Sequence, residues 1–320
     1  MYRTRSFRYE NEQVVLALTL LLVLAVIILT STATFCLSGV FILGMFLVSA
    51  MMIRTHHQAL MRHAIHVDRG RTPELTNWVI ECGRKLQPGP VDVFLINQKQ
   101  VNAYTFGIRD PKVLVLYTPL LQAMNGDELK FIIGHEMGHV VLGHTWLNTI
   151  IGGMAGIPAP FGASVLLYTA FRWWNRMCEF SADRAGLLAC GDINIAISAL
   201  VKLAAPQIRT QGDFERALAL IDTEDDQASN RLAEVFQTHP MLIRRINELR
   251  KFARTAEYQR IQIGMNGNLG NQPAAPVLNF QVPEQVELET TAPPAVERSA
   301  EERWPWMKPT EIPSRRSTNN

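Results

Sequence analysis

The sequence predicts a mainly helical α+β fold with a small antiparallel β-sheet, preceded by an N-terminal transmembrane helical hairpin. Three features indicate this fold. They are an uncharged apolar block near the N-terminus, short runs rich in β-branched residues, and helical spacing of apolar residues elsewhere. The chain has 320 residues, with 31 basic and 29 acidic side chains and a formal net charge of +2. This near balance argues against a nucleic-acid-binding protein, which normally carries a concentrated basic excess. The 4 cysteines form no C-x-x-C pair, so we expect free thiols.

Residues 14–53 contain no Asp, Glu, Lys or Arg, which is typical of membrane-spanning sequence. A transmembrane helix needs about 20 apolar residues, and the block supplies two such runs on either side of a polar break at residues 31–34, where we expect a tight turn. A signal peptide and a buried helical hairpin of a soluble protein are the alternatives. The acidic Glu10 and Glu12 ahead of the block, and its length, argue against a signal peptide.

Basic residues flank both ends of this block, whereas the turn between the two helices carries no charge. The flanking residues are Arg3, Arg5 and Arg8 before the block and Arg54 and Arg62 after it. Because cytoplasmic ends of membrane helices are enriched in Lys and Arg, we expect both ends in the cytoplasm. Residues 1–13 then form a short cytoplasmic N-terminus. Residues 54–71 form a juxtamembrane segment, whose histidines we assign to a solvated helix rather than to a metal site.

A folded domain is predicted over residues 72–263. Thr72-Pro73-Glu74 favours a helix start, because Thr caps a helix, Pro fits its first position and an acid suits its positive end. Asn125 and the acids after it begin another helix in the same way. Further elements are strands at residues 91–96, 101–106 and 112–117 and helices at 172–189, 193–203, 214–221 and 241–261. Residues 264–320 are rich in proline with little apolar periodicity, so we expect a disordered tail.

His135-Glu136-Met137-Gly138-His139 lies within the helix predicted after Asn125. Because residues i and i+4 share one face of a helix, both imidazoles can bind a single zinc ion. Zinc makes a bound water acidic, Glu136 can accept its proton, and the hydroxide can then attack a carbonyl group. The pattern therefore indicates a zinc-dependent hydrolase.

Two downstream residues compete for the place of a third zinc ligand. His144 is rejected, because continued helical geometry would turn it about 140° away from His139 and from the metal. Glu179 is favoured, because two histidines and one carboxylate form a catalytic zinc site. Asp183, one turn later, would accept a hydrogen bond from a ligand imidazole. The alternative is that both carboxylates pair with nearby arginines on a solvated face.

Four segments carry a family resemblance in a specific order. They are Asn102-Ala103-Tyr104, Gly134 to Val140, Glu179 to Asp183, and Thr238-His239-Pro240 followed by Arg244. With these segments the chain resembles the M48 zinc metallopeptidases, the membrane gluzincins of the HtpX and Ste24 type, over residues 72–250. The resemblance implies a gluzincin-like metallopeptidase domain that binds one Zn²⁺ per chain.

The resemblance also implies the roles of individual residues. His135, His139 and Glu179 would be the zinc ligands, and Glu136 the general base.

Other residues would bind the substrate. Asn102, Ala103 and Tyr104 would border the substrate groove, where an extended peptide adds to the sheet edge through backbone hydrogen bonds. His239 would lie near the active site, where it donates to a developing oxyanion or regulates the metal. A helix-capping histidine is the alternative for this residue.

Residues 145–171 form a second uncharged stretch, interrupted by glycines and prolines. One membrane crossing would put His139 and Glu179 on opposite sides of the bilayer, so they could not bind one zinc ion. Two full crossings, as in HtpX-like proteins, need about 40 residues. We therefore expect a hairpin that is re-entrant, interfacial or packed on the membrane helices. A buried core hairpin is the alternative.

These features together predict an integral membrane zinc endopeptidase of a bacterial inner (plasma) membrane, with its catalytic domain in the cytoplasm. The expected partners are protein or peptide substrates, in quality control of membrane or misfolded proteins, and the lipid bilayer, but no nucleic acid. Homo-oligomerisation is left open. The alternatives are the same protease facing the periplasm or a lumen, and a membrane-bound, metal-binding chaperone or scaffold with little turnover.

Overall fold

The computed structural model describes residues 7–33, 61–152, 162–205 and 240–269, and single helical positions at 40, 44, 47, 51, 55, 58, 212 and 215. They belong to one unit, Met1–Phe280, and the other unit, Gln281–Asn320, lies outside them. The strands of the described ranges are β1 (Ile65–His66), β2 (Val91–Ile96), β3 (Ala103–Phe106) and β4 (Lys112–Tyr117). The helices are α1 (Glu12–Ala33), α2 (Pro73–Leu86), α3 (Thr118–Ala123), α4 (Gly126–Val141), α5 (His144–Gly152), α6 (Gly162–Cys190), α7 (Ile193–Ala204), α8 (Pro240–Ala253) and α9 (Ala256–Leu269).

The four strands form one mixed sheet in the order β1-β2-β4-β3. β3 and β4 form an antiparallel hairpin, but β2 lies parallel to β4, with Val93 opposite Leu114. The prediction of an antiparallel sheet is therefore wrong for this pair. The reason is the apolar run of β4, where Leu114, Val115 and Leu116 are fully buried, as in a central strand with both faces covered. β3 has no buried residue and takes the edge.

Strand β1 lies where the sequence predicts the end of a juxtamembrane helix. Ile65 and His66 pair antiparallel with Leu95 and Phe94 of β2. The rings of His66 and Phe94 are 5.1 Å apart between centroids, a cross-strand aromatic pair of the kind that stabilises sheets. The segment before residue 72 therefore belongs to the folded domain.

Helix α4 begins after Asn125, as the sequence predicts. Asn125 and Glu128 form a reciprocal capping box, in which each side chain accepts a hydrogen bond of 2.9 Å from the other residue's backbone N–H. The buried Glu128 carboxylate also accepts a hydrogen bond from Lys202 of α7. The helix ends just before Gly143, whose φ of +78° is a conformation that favours glycine. Both ends of the helix are thus fixed by local sequence.

Small residues bring α4 and α6 into close contact. Gly134 and Gly138 of α4 face the small residues Ala182, Ala185, Gly186 and Ala189 of α6. A Cβ atom at Gly138 would lie 2.6 Å from the Cβ of Ala185, which is closer than two side chains can pack. Because both helices carry predicted metal ligands beside these positions, this contact sets the distance between the ligands.

Helix α1 is long and apolar enough to cross a membrane. Its segment Glu12–Leu29 has 18 residues with a mean hydropathy of 2.7, and 17% of this segment is buried. Val15 and Thr19 are buried in the fold, whereas Leu21 and Leu29 are 62% and 70% exposed. The helix continues to Ala33, so residues 31–33 are helical rather than part of the predicted turn. The second predicted membrane helix lies outside the described residues, apart from single positions.

The C-terminal part differs from its prediction in two respects. The helix predicted at residues 241–261 is interrupted after Ala253 and continues as α9. α9 extends to Leu269, beyond the predicted start of the tail at residue 264. Residues 270–320 lie outside the described residues, and so does the helix predicted at 214–221, apart from Glu215.

Candidate metal centre

The three predicted metal ligands lie together at the contact between α4 and α6. The Nε2 atoms of His135 and His139 are 3.3 Å apart. One carboxylate oxygen of Glu179 lies 3.6 Å from His135 Nε2, and the other lies 3.5 Å from His139 Nε2. Both histidines are buried, and the Glu179 side chain is 29% exposed. We call these atoms the donor triangle.

The size and chemistry of the donor triangle fit a zinc ion. With Zn–N bonds of about 2.0–2.1 Å and tetrahedral angles, neighbouring ligand atoms lie about 3.3 Å apart. The two Nε2 atoms are 3.3 Å apart, and each lies 3.5 or 3.6 Å from a different oxygen of the Glu179 carboxylate. Two imidazole nitrogens and one carboxylate are also a donor set of catalytic zinc sites. The residues present therefore fit one zinc ion.

Asp183 and Arg245 support the first ligand imidazole. His135 Nδ1 lies 3.0 Å from Asp183 Oδ1, so the imidazole N–H can donate to that carboxylate and leave Nε2 free to bind a metal. The Arg245 guanidinium donates to both oxygens of Asp183, at 2.6 and 2.8 Å, and lies 3.2 Å from Glu179. Asp183 thus lies where the sequence predicts it, and Arg245 is an additional partner.

The charge of Arg245 determines the ionisation of both carboxylates. Burial would raise the pKa of Asp183 and of Glu179, but the neighbouring guanidinium and the hydrogen bonds of these carboxylates outweigh burial and lower both pKa values. Burial would likewise lower the pKa of Arg245, but its two carboxylate partners raise it. All three groups are therefore charged at neutral pH, and Glu179 is an anionic donor.

His144 lies behind the second ligand imidazole and outside the donor triangle. Its Nδ1 atom is 3.1 Å from Nδ1 of His139, and its Nε2 atom is 3.0 Å from the carboxylate of Glu12. The continued helix assumed for His144 does not form, because α4 ends before Gly143, and the ring lies against His139 without joining the donor triangle. Burial lowers the pKa of His144 to about 4, so its ring is neutral at pH 7.

Glu136 lies beside the donor triangle. It follows His135 on α4 and is 7% exposed. Burial would lower the pKa of His139, but the hydrogen bond and charge of Glu179, together with the charge of Glu136, raise it. The position suits a base that acts next to a metal.

The residues predicted to bind substrate lie at the edge of the sheet. Ala103 and Tyr104 belong to β3, which packs beside α4, and Asn102 directly precedes this strand. Within the part of the chain that the structure describes, β3 pairs with β4 alone. Burial raises the pKa of Tyr104, so its phenol stays neutral. Among the described residues, β3 is thus an edge strand of the sheet.

The arginine at the site is Arg245, for which the sequence predicted no role. Arg244 lies over the ring of Phe180, 5.4 Å from its centroid, and is exposed. Helical spacing could have identified the right residue, because position 245 lies between the buried Leu242 and Ile246 on the inner face of α8. His239 lies outside the described residues.

Comparisons with known proteins agree with this geometry. The sequence model of Peptidase family M48 matches residues 71–253. The plastoglobule-localized metallopeptidase 48 of Arabidopsis thaliana chloroplasts is 28% identical over 214 residues, which are 62% of this chain and 62% of that protein. The protease HtpX homolog of Ralstonia pickettii is 28% identical over 62% of this chain and 80% of its own length. The protease HtpX homolog of Thermococcus kodakarensis is 28% identical over 58% of this chain and 76% of its own length. The chain thus spans less than two thirds of the Arabidopsis relative.

The matched region extends over more than half of the 320 residues. It contains the donor triangle together with Asp183 and Arg245, and it begins after α1. The chain belongs to Peptidase family M48.

Proposed function

We propose that this protein is a membrane-anchored, zinc-dependent endopeptidase. The donor triangle carries this proposal, because two imidazole nitrogens 3.3 Å apart, each 3.5 or 3.6 Å from one oxygen of the same carboxylate, suit one zinc ion. Three protein ligands are the usual number in catalytic zinc sites, where the fourth position serves water or substrate. Membership of family M48, and relatives named as a metallopeptidase and as HtpX proteases, support the same activity.

The residues around the donor triangle have distinct tasks in peptide hydrolysis. Zinc bound here would supply a Lewis acid that makes water a nucleophile near neutral pH. Glu136 accepts the proton of the attacking water and delivers it to the leaving amine. Asp183 holds the His135 imidazole in the orientation that directs Nε2 inward. His239, by the family resemblance, donates a hydrogen bond to the oxyanion.

The edge strand β3 is the proposed binding site for an extended substrate. A peptide would add to Ala103–Phe106 as a further strand, held by backbone hydrogen bonds, with Asn102, Ala103 and Tyr104 along the groove. Such hydrogen bonds need no free chain terminus. Strand addition therefore favours cleavage within unfolded protein or peptide segments, that is, an endopeptidase.

Helix α1 supports the membrane location. Its outward apolar side chains, such as Leu21 and Leu29, are exposed in the fold and suit lipid. Arginines on both sides of residues 14–53 favour a cytoplasmic domain at a bacterial inner membrane. Because Glu12 begins α1 and is hydrogen-bonded next to the metal centre, the active site lies near the bilayer surface. That position suits quality control of membrane or misfolded proteins.

The uncharged segment 145–171 is the proposed membrane-associated hairpin. His144 and Trp174, at its two ends, are 6.1 Å apart between ring centroids, so the segment leaves and returns at one place. Trp146 and Trp173 are each 47% exposed, and exposed tryptophans are common at membrane interfaces. A re-entrant or interfacial hairpin accounts for both features.

Substitution of the general base tests the activity. The Glu136→Gln variant keeps one zinc ion per chain but no longer cleaves casein, because the amide cannot accept a proton. Asp127→Asn is the matched control, since this exposed carboxylate lies on the same helix and its loss leaves cleavage unchanged. His135→Ala loses stoichiometric zinc. Casein cleavage by Glu136→Gln at the wild-type rate would refute the mechanism.

The same proteins separate the alternatives. A chaperone or scaffold would be indicated by two results together. The wild-type protein would bind zinc but never cleave casein, and the Glu136→Gln variant would behave in cells as the wild type does. Reporter fusions to the C-terminal tail distinguish a cytoplasmic from a periplasmic or luminal domain. Cysteine labelling at Ala163 and Asn175 reports how residues 145–171 lie in the membrane, and exposure of Asn175 on the side opposite to His144 would refute the shared zinc site.

A further inference from the structure

The second ligand histidine is connected to the start of α1 by two hydrogen bonds. His139 Nδ1 lies 3.1 Å from His144 Nδ1, and His144 Nε2 lies 3.0 Å from the Glu12 carboxylate. Glu12 and His144 are each 1% exposed. Glu12 precedes His144 by 132 positions and lies outside the region that matches Peptidase family M48. The metal centre thus includes contacts from beyond the family's common domain.

One arrangement of protons satisfies both hydrogen bonds when the two rings are neutral. His139 Nε2 belongs to the donor triangle and offers its lone pair to a metal, so the proton of this ring lies on Nδ1. His144 Nδ1 accepts that hydrogen bond, and the His144 proton on Nε2 is donated to Glu12. An anionic acceptor at Glu12 therefore fixes the tautomer of His144, which in turn fixes that of His139.

The Glu12 carboxylate is itself held in place from two sides. Arg8 forms an ion pair with one oxygen, and the Ser181 hydroxyl donates to the other. Arg8 also donates to the carbonyl of Leu142 at 2.8 Å, directly after α4. The backbone N–H of Tyr9 donates to Ser181 at 2.7 Å. The segment that begins α1 is therefore fixed against α4 and α6.

The two ligand histidines have equivalent supports. On one side the imidazole donates to Asp183, which is paired with Arg245. On the other side the chain of hydrogen bonds ends at Glu12, which is paired with Arg8. We propose that Glu12 is a positioning residue of the metal centre, which acts through His144 to orient the second ligand histidine. This inference rests on the zinc site proposed above.

A second metal ion is the competing explanation for this cluster. Ligand atoms of Glu12, His144 and Cys178 lie within 4.8 Å of one another. Both ring nitrogens of His144 are already hydrogen-bonded, however, and the positive charge of Arg8 lies against the same carboxylate. A chain of hydrogen bonds accounts for these contacts without a cation.

Zinc affinity of the full-length protein in detergent tests the inference. We would measure it by competition with a chromophoric chelator for wild type, Glu12→Gln, His144→Leu and the double variant. Loss of a group that supports a metal ligand typically weakens metal binding about 10–100-fold, and we expect this for each single variant. Glu10→Gln is the matched control, since Glu10 is exposed two residues earlier and its loss leaves affinity unchanged.

The double variant distinguishes positioning from general destabilisation. If Glu12 acts through His144, adding Glu12→Gln to His144→Leu changes zinc affinity less than twofold. His144→Asn, whose amide oxygen can still accept from His139, recovers part of the loss. The visible absorption of the cobalt-substituted protein, which reports the ligand geometry, changes in Glu12→Gln but not in Glu10→Gln.

Three results would overturn the inference. The first is an unchanged zinc affinity in Glu12→Gln. The second is an equal loss of zinc affinity when Glu12→Gln is added to the wild type and to His144→Leu. The third is two bound zinc ions per chain, one of which is lost in Cys178→Ser. If Glu12→Gln does not fold, Ser181→Ala removes one hydrogen bond to the same carboxylate, and it should weaken zinc binding in the same direction. Failure of the proposed function is a different result, namely wild-type protein without zinc or without casein cleavage.

Discussion

The guanidinium group of Arg245 donates two hydrogen bonds to the carboxylate of Asp183, from Nε to Oδ2 at 2.8 Å and from Nη2 to Oδ1 at 2.6 Å. Asp183 is 1% exposed, so this bidentate ion pair compensates the loss of hydration of a buried carboxylate. The same carboxylate accepts from the first ligand histidine. α8 and α6 are therefore joined at the metal centre by the ion pairs of Arg245 with Asp183 and with Glu179.

Removal of this arginine should destabilise the protein strongly. Arg245→Met leaves the buried Asp183 charge without its cation, and such a loss typically costs about 3–5 kcal/mol of unfolding free energy. Arg245→Lys keeps the charge but loses the paired geometry, so its cost should be smaller. Arg244→Met is the control, because Arg244 is exposed. Denaturant unfolding of the zinc-free proteins measures the effect, and equal stability of the two Met variants would contradict it.

The glycines of α4 should tolerate no side chain. In Gly138→Ala the new Cβ atom would lie 2.6 Å from Ala185 Cβ, so α4 and α6 must move apart, at a typical cost of about 1–3 kcal/mol. Zinc affinity should fall as well, because the two helices carry different ligands. Gly83→Ala in α2 is the control, since its Cβ atom would meet nothing within 4 Å, and it should stabilise the helix by about 0.5–1 kcal/mol. Similar melting temperatures and zinc affinities for both variants would argue against a close contact.

Zinc should stabilise the protein only when all three ligands are present. Free zinc at 1,000 times its dissociation constant adds about 4 kcal/mol to the free energy of unfolding. Treatment with a chelator should remove this stabilisation together with activity, and added zinc should restore both. Glu136→Gln should keep the zinc-dependent shift in melting temperature, whereas Glu179→Gln should lose most of it. A full shift in Glu179→Gln would exclude this residue as a ligand.

Two cysteines should resist alkylation at mildly alkaline pH. Burial raises the pKa of Cys82 to about 12 and that of Cys190 to about 11, above the ordinary value of about 8.5. In the native protein at pH 8.5 both thiols are therefore protonated and react slowly with iodoacetamide. The pKa of Cys82 is higher in the folded than in the unfolded chain, so its contribution to stability is complete below about pH 8.5 and is lost as the pH rises towards 12.

Residue-level mass spectrometry measures this protection, with urea-unfolded protein as the control. Comparable rates for Cys82 in the native and unfolded protein at pH 8.5 would contradict the prediction. Unfolding at pH 7 and pH 10 should show a smaller loss of stability in Cys82→Ala than in wild type.

The residues of the donor triangle could be predicted because their information is local. His135 and His139 are one helical turn apart, and the capping residues before α4 fix that helix independently of the rest of the fold. Glu179 and Asp183 share a face of α6 for the same reason. The glycine and alanine contact between the two helices was not predicted, although small residues four apart are visible in both segments.

The remaining contacts depend on which distant segments meet. The parallel pairing of β2 with β4 follows from competition among strands for the central place, which no single strand's pattern reveals. Glu12 is the first residue of α1, and nothing local connects it to a histidine 132 residues later. Arg245 was not predicted as a partner of Asp183, because its contact depends on how α8 packs against α6.

Because Glu12 at the start of α1 is hydrogen-bonded to His144, the proposed membrane anchor and the proposed support of the second ligand histidine belong to one segment. A catalytic domain released by proteolysis, or stripped of α1 by harsh extraction, would lose Glu12 together with its anchor. Such a fragment would bind zinc poorly and would not become a freely diffusing protease. On the proposed function, hydrolysis would thus be confined to the surface of the bilayer.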